Sequence, residues 1–285
     1  MPQVPEVVED AALSVSLFEI EGDNGAEPVG WQVDIVLRDQ PQPDGLAAVL
    51  APALAEAGAA LLGIDVAPVP PEEWVRAVEL RLPPIRIGRF VIHGAHAREA
   101  VPPGAVAIEV EAGLAFGSGE HATTRLCLAA IDHLARRRRF RRVLDLGCGS
   151  GLLAIAAARC WPARVLAVDH DPIAVRVASA NASLNRVVGR VRVLAAEGYR
   201  HPAIRRQRPF DLVLANILAD PLIELAPGLR AHLAPGGRAV LSGLLSSQAD
   251  AVAAAHRKQG LRLLDVAREG PWAALTFAHA MAGRR

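Results

Sequence analysis

The sequence predicts a doubly wound, mostly parallel α/β sheet of seven strands, preceded by a small N-terminal α+β domain. Three observations carry that expectation. From residue 143 onward, short Val/Leu-rich runs alternate with Ala-rich helical stretches, as a parallel sheet requires. A buried strand runs into a glycine-rich turn and then a helix within residues 143–160. The chain closes on two adjacent strands with no helix between them, 261–266 and 272–277.

Taken in order, residues 13–21 and 31–38 read as strands separated by the turn-rich stretch 22–30. In the second of these, Trp31, Val33, Ile35 and Leu37 share one face by period-two alternation. Asp44 precedes an Ala/Leu helix extending to about Leu62, with Pro52 a candidate break. Pro68, Pro70 and Pro71 mark a boundary. Residues 1–69 therefore form the first domain, 70–82 a linker and 83–285 the large domain. Two β-like stretches, 90–93 and 106–110, precede a glycine-rich loop at 113–119 and a helix over 121–138. Strands at 143–146, 164–169, 191–195, 211–215 and 238–241 then alternate with helices at 152–160, 173–185, 218–233 and 246–259.

No apolar run approaches the roughly 20 residues that span a bilayer. The acidic, Pro-containing residues 1–10 do not resemble a signal peptide, so cytoplasmic residence without a membrane partner is expected. Cys127, Cys148 and Cys160 show no paired spacing, which predicts neither a disulfide framework nor a metal site. The net charge of +1 conceals a split. Residues 1–69 carry twelve Asp/Glu against Arg38 alone, a balance of −11, and residues 70–285 carry +12. An acidic lobe repels nucleic acid and attracts a basic protein, or simply keeps a small lobe soluble. A monomer that does not bind nucleic acid directly is expected. The run Arg136 to Arg139, with Arg141 and Arg142, reads as a solvated helix end whose cations complement the helix dipole.

The chemistry centres on Val143-Leu144-Asp145-Leu146-Gly147-Cys148-Gly149-Ser150-Gly151. Glycines permit positive φ and close backbone approach to a ligand, and the following helix start presents unpaired N–H groups. A dinucleotide fingerprint would need a third glycine at position 152, which is Leu152, so a nicotinamide oxidoreductase is disfavoured. Asp145 is placed as an acid able to reach a cofactor ammonium. Asp169 ends the next strand, 22 residues after Gly147, where a carboxylate can bind both ribose hydroxyls of an adenosine. Asp171 is assigned to capping the following helix. Glu197, after the third strand, is a candidate for the adenine amino group or a solvated loop acid. Asn216, at the end of the fourth strand, faces the ligand crevice and can accept a hydrogen bond from an amine, or else caps the next helix.

The segment Gly113-Leu114-Ala115-Phe116-Gly117-Ser118-Gly119-Glu120-His121-Ala122-Thr123-Thr124 places hydroxyls and His121 over the same crevice. With the glycine turn, Asp169, Asn216 and residues 241–248, it resembles the ribosomal protein L-eleven (L11) methyltransferase family, PrmA, over about residues 70–285. The resemblance implies a class I, Rossmann-like methyltransferase fold. Its cofactor would be S-adenosyl-L-methionine, contacted by Thr124, Gly147, Gly149, Asp169 and Asn216, with Phe116 and His121 shaping a lid. It also implies transfer of methyl groups to lysine side chains and the N-terminal amine of ribosomal protein L11, a basic protein that would dock on the acidic domain, residues 1–69. Asn216 would be the catalytic residue, orienting a neutral amine. His121 is given loop ordering over general-base work, Trp272 core or lid packing, and Cys148 packing behind the glycine turn. Another protein or a small molecule as acceptor, or a non-catalytic ribosome-associated module, are the alternatives.

Overall fold

The computed structural model describes residues 12–20, 30–37, 43–56, 60–67, 84–110 and 121–280. The chain divides into two compact units, Met1–Glu73 and Trp74–Arg285. The expected linker, the turn before Gly30 and the glycine-rich loop with Phe116 lie outside the described residues.

In the first unit, β1 (Ala12–Ile20) pairs antiparallel with β2 (Gly30–Leu37), and α1 (Pro43–Glu56) follows. Pro52 sits inside α1 and does not end it. The helix stops short of Leu62: the sequence has Gly58 just beyond Glu56, a residue type at which helices commonly terminate, and residues 60–67 carry no regular structure.

The second unit opens with a three-stranded sheet in the order β3 (Ile85–Ile87), β4 (Phe90–His93), β5 (Val106–Glu109). The sequence reading missed β3, a three-residue strand directly after Pro83-Pro84. Its turn rests on Gly88, at φ +55°, where a Cβ would lie 2.5 Å from the Asp132 carboxylate. Asp132 is held by Arg89 and by Arg136 at 2.8 Å. Burial pushes its pKa up, but the two guanidiniums outweigh this and hold it below the ordinary value.

The main sheet contains β6 (Arg142–Leu146), β7 (Arg164–Asp169), β8 (Val191–Ala195), β9 (Phe210–Asn216), β10 (Leu233–Leu245), β11 (Leu261–Glu269) and β12 (Trp272–His279). Their spatial order is β11-β12-β10-β9-β6-β7-β8, with β12 antiparallel to both neighbours and the five strands from β10 to β8 parallel. Alternation along the strands divides the core. Val143, Val165, Ala167, Leu212 and Leu214 pack into one cluster, with α2 (Ala122–Ala135), α3 (Leu152–Cys160) and α4 (Pro172–Leu184). Leu144, Leu166, Val168 and Val213 face the opposite cluster. That side is covered by α5 (Pro202–Gln207), α6 (Ala219–Glu224), α7 (Ala226–His232) and α8 (Ala249–Lys258). Both faces of a parallel sheet must be buried, so its strands read as continuous apolar runs.

Three elements differ from the sequence reading. The helix expected over 218–233 is two helices broken at Leu225, because Pro227 lacks an N–H and fits only in a helix's first turn. Helix α5 was not anticipated; His201 caps it by accepting the Ala203 N–H at 3.1 Å, with Pro202 in the first turn. Residues 246–248 form a separate 3₁₀ turn before α8.

Candidate functional site

The crevice opens at the C-terminal ends of β6, β7 and β9, where neighbouring strands of a doubly wound sheet diverge. After β6 the chain turns through Gly147 at φ +70°, and the N–H groups of Gly147 and Cys148 both donate to the Val168 carbonyl, at 2.8 and 3.0 Å. A Cβ on Gly147 would stand 2.3 Å from Ile217 Cγ2, so only glycine fits. Helix α3 then starts without a side-chain cap at Gly151, and its first residues, Leu152 and Leu153, line the recess beside the turn.

Asp169 ends β7 and is 8% exposed. One carboxylate oxygen accepts the Gly149 N–H at 2.9 Å and the other the Asp171 N–H at 3.0 Å. It therefore points at the glycine turn and fastens it. Asp171 caps α4, accepting the Ile173 N–H at 2.8 Å. Asp145 is not where the sequence reading put it. It is fully buried behind the turn, neither oxygen has a hydrogen-bond partner among the described residues, and it lines no part of the crevice. Strand alternation turns its side chain toward the buried layer, and burial pushes its pKa up to about 7.

Asn216 ends β9 and donates from Nδ2 to the Thr124 hydroxyl at 3.3 Å, joining residues 92 apart. Its Oδ1 is a buried acceptor without a partner among the described residues. Thr124 is buried in the first turn of α2. His121 caps that helix, accepting the Thr123 N–H on Nδ1 at 3.4 Å and meeting the Thr123 hydroxyl at 2.8 Å. Its ring stands edge-on to Trp272, 4.6 Å between centroids. Ile217 is wedged between two glycines. Its N–H donates to the Ser242 carbonyl at 3.1 Å, and a Cβ on Gly243 (φ +88°) would meet the Ile217 carbonyl oxygen at 2.3 Å.

These groups line a cleft of about 830 Å³ that includes Gly147, Asp169, Asn216, Leu218 and Trp272, beside a smaller recess reaching Thr124 and Gly149. All five residues expected at the cofactor thus face one crevice. Glu197 lines it too, and its exposed carboxylate pairs with Arg200 at 3.3 Å. Sequence reasoning missed Tyr199, the only tyrosine of the chain, which lines the cleft and stacks on His232 at 4.7 Å. Gly228 makes room for it, since a Cβ there would lie 2.4 Å from the ring. Its uniqueness and its place after the third strand were the available signals. Among the described residues no cluster of three or more His, Cys, Asp or Glu could hold a metal, and no helix is long and apolar enough to cross a membrane.

Comparison with known proteins gives a consistent result. Residues 17–280 match the family described as ribosomal protein L11 methyltransferase (PrmA). The chain is similar to the ribosomal protein L11 methyltransferase of Brucella suis (strain ATCC 23445 / NCTC 10510), 48% identical over 211 residues and 74% of each chain. It is 47% identical over 245 residues to that of Bradyrhizobium diazoefficiens, covering 86% of this chain and 82% of the relative. Among solved structures it resembles the ribosomal protein L11 methylase of Lactobacillus delbrueckii subsp. bulgaricus. The TM-score is 0.60 and the identity 29%, over 67% of this chain and 95% of that one.

Proposed function

Because the chain belongs to the ribosomal protein L11 methyltransferase family, we propose that it transfers methyl groups to lysine side chains and the N-terminal amine of ribosomal protein L11. It is an S-adenosyl-L-methionine-dependent methyltransferase, and the crevice fits that cofactor on structural grounds. Gly147 and Gly149 present bare backbone to the recess, α3 starts without a side-chain cap at Gly151, and Asn216 Oδ1 is an unsatisfied buried acceptor. Thr124, Gly147, Gly149, Asp169 and Asn216 would hold the cofactor, with Asp169 taking the ribose hydroxyls through acceptor capacity left over from its two backbone bonds.

When bound, S-adenosylmethionine supplies an activated methyl group on a positively charged sulfur. The protein's part is orientation and exclusion of water. A free lysine amine has a pKa near 10.4 and must enter neutral. The apolar wall of Ile217, Leu218 and Trp272 desolvates it, which favours the neutral form. Asn216 Oδ1 accepts one amine N–H and fixes the direction of the lone pair, while the Thr124 hydroxyl holds the carboxamide in place. The orphaned Asn216 oxygen at the end of β9 is the observation that carries this reading.

Residues 1–69 would recognise the basic substrate, residues 70–82 would link, and 83–285 would carry the chemistry; the −11 charge of residues 1–69 supports this division. The reading extends to a monomer working in the cytoplasm, where free thiols such as Cys127, Cys148 and Cys160 persist. Intact-mass analysis of ribosomal protein L11, incubated with the enzyme and cofactor, tests the proposal: successive mass increments of one methyl group are expected. An unchanged mass alongside demonstrated cofactor binding would overturn it.

A further inference from the structure

The end of the sheet opposite the crevice carries arginine at nearly every strand start. Arg142 opens β6 and lies in register with Arg164, which opens β7. Arg190 precedes β8, its carbonyl accepting the Val165 N–H at 2.8 Å. Arg238 begins the pairing of β10 with β12 and Arg262 is the second residue of β11, and both flank Ala278 of β12. Arg138 follows α2 and reaches the same place. It and Arg238 both donate to the Gly236 carbonyl, at 2.9 and 2.8 Å. The sequence reading set aside the run from Arg136 to Arg142 as a solvated helix end. The fold brings four further arginines to it from distant segments.

Among the described residues none of these six arginines forms an ion pair with a carboxylate, a state shared by most arginines of this unit outside Arg89, Arg98, Arg125, Arg136 and Arg200. What sets the six apart is that the sheet register gathers them at one end of the strands. The one acid at these strand starts, Asp211, is engaged by the backbone N–H groups of Arg141 and Arg142 at 2.8 and 3.0 Å. Arg138 and Arg238 are met by backbone carbonyls of Gly236 and Gly237 and by no carboxylate, and burial, then Arg138 and Arg262, lower the pKa of Arg238. Such a convergence leaves a field that an anion would satisfy.

The row follows seven strands and is about 29 Å long at the usual strand spacing. Guanidinium groups match phosphate by paired N–H donors, so a line of them suits a chain of phosphates better than a single ion. Among the described residues at this end no aromatic ring is offered for stacking on unpaired bases: Phe140, Trp161 and Phe210 are 3%, 1% and 1% exposed. That favours a duplex read through its backbone. The row also stands about 16 Å from Asp169 along β7, so a ligand there leaves the crevice open.

We propose that this edge, through Arg138, Arg142, Arg164, Arg190, Arg238 and Arg262, binds the sugar–phosphate backbone of duplex RNA. The choice of RNA over other polyanions rests on the function proposed above, since a ribosomal protein is met beside ribosomal RNA. Binding is independent of base sequence and leaves the crevice at the other end of the strands open.

The test is fluorescence anisotropy of a labelled duplex RNA of about 20 base pairs, titrated with the full chain over a series of potassium chloride concentrations. A dissociation constant of about 1–100 µM near physiological salt is expected, weakening steeply as salt rises. The triple substitution Arg164→Gln, Arg190→Gln and Arg262→Gln should reduce the slope of log K against log salt by about 2–3, and the corresponding Glu variant should lose at least about tenfold in affinity. All three side chains are exposed, and thermal unfolding checks that the variants fold. Methyl transfer to isolated ribosomal protein L11 should stay at the wild-type rate in both variants. Failure of the wild type to bind RNA at low salt, variants that bind as it does, or binding only to vesicles rich in anionic lipid would each overturn the assignment. So would loss of methyl transfer in step with RNA binding. Absence of methyl transfer by the wild type would instead count against the function proposed above.

Discussion

Asn216 gives its amide N–H to the Thr124 hydroxyl at 3.3 Å, so the end of β9 and the first turn of α2 share one polar contact. The bond fixes which way the carboxamide faces and leaves Oδ1 a buried acceptor without a partner among the described residues. Replacing Asn216 with Ala should lower the methylation rate by about 100-fold, the scale of losing an orienting group. Thr124→Val, which removes only the support, should cost about tenfold, appearing in kcat more than in KM. Initial rates with radiolabelled cofactor measure both. An Asn216→Ala enzyme within about threefold of the wild type would falsify the assigned role.

Asp169 should matter chiefly for affinity. Asp169→Ala removes charge-assisted bonds to Gly149 and Asp171 as well as the group proposed for the ribose. Calorimetry with S-adenosylmethionine should show binding weaker by about 10–100-fold, each such bond contributing about 1.5–3 kcal/mol. Unchanged affinity would remove Asp169 from the cofactor site.

Two glycines separate backbone freedom from space. Gly243 and Gly260 both have φ near +80° to +90°, but a Cβ at 243 meets Ile217 backbone at 2.3 Å while nothing lies within 4 Å at 260. Gly260→Ala should destabilise by about 1–2 kcal/mol, the left-handed penalty alone. Gly243→Ala should cost more, since Ile217 has to move, and it should also weaken methylation. Urea unfolding and rate measurements on both variants decide this.

Asp145 predicts a distinctive pH dependence. Its folded-state pKa is raised to about 7 from 3.8, so the folded protein holds a proton that the unfolded chain releases. That contribution is fully present below about pH 4 and is lost as the pH rises through about 7, by at most about 4 kcal/mol. The stability gap between wild type and Asp145→Asn should therefore shift in favour of the variant between pH 5 and pH 8. A gap independent of pH would mean that Asp145 ionises normally.

A fragment of residues 83–285 should bind S-adenosylmethionine with full affinity yet methylate ribosomal protein L11 at least about tenfold more slowly, because the acidic residues that would steer a basic substrate are gone. Equal rates at low salt would take residues 1–69 out of substrate capture.

The parts of this protein that sequence made legible are those governed by local rules. The glycine turn after β6, Asp169 at a strand end and Asp171 as a cap depend on neighbours a few positions away. The Val/Leu-rich run at 143–146 also foretold a buried strand, and the structure buries both its faces, Val143 in one cluster and Leu144 in the other. What stayed hidden depends on tertiary packing. Nothing near Asn216 announces Thr124, and nothing near Tyr199 announces the gap left by Gly228. Asp145 misled because its spacing suits a ligand contact, whereas its orientation is set by which face of β6 it occupies. The break at Leu225 was readable in hindsight from Pro227, whose ring the expected long helix could not have held in its interior.

Ile217 has a consequence for altering what the enzyme accepts. Its side chain fills the space left by Gly147, and its main chain is locked to Ser242 against Gly243. The glycine turn and Asn216 are thereby held at one fixed spacing by covalent geometry and a single interlocked residue. Any widening toward a bulkier nucleophile has to come from the outer wall, at Leu218, which is 71% exposed, and Trp272, where trimming leaves that spacing intact.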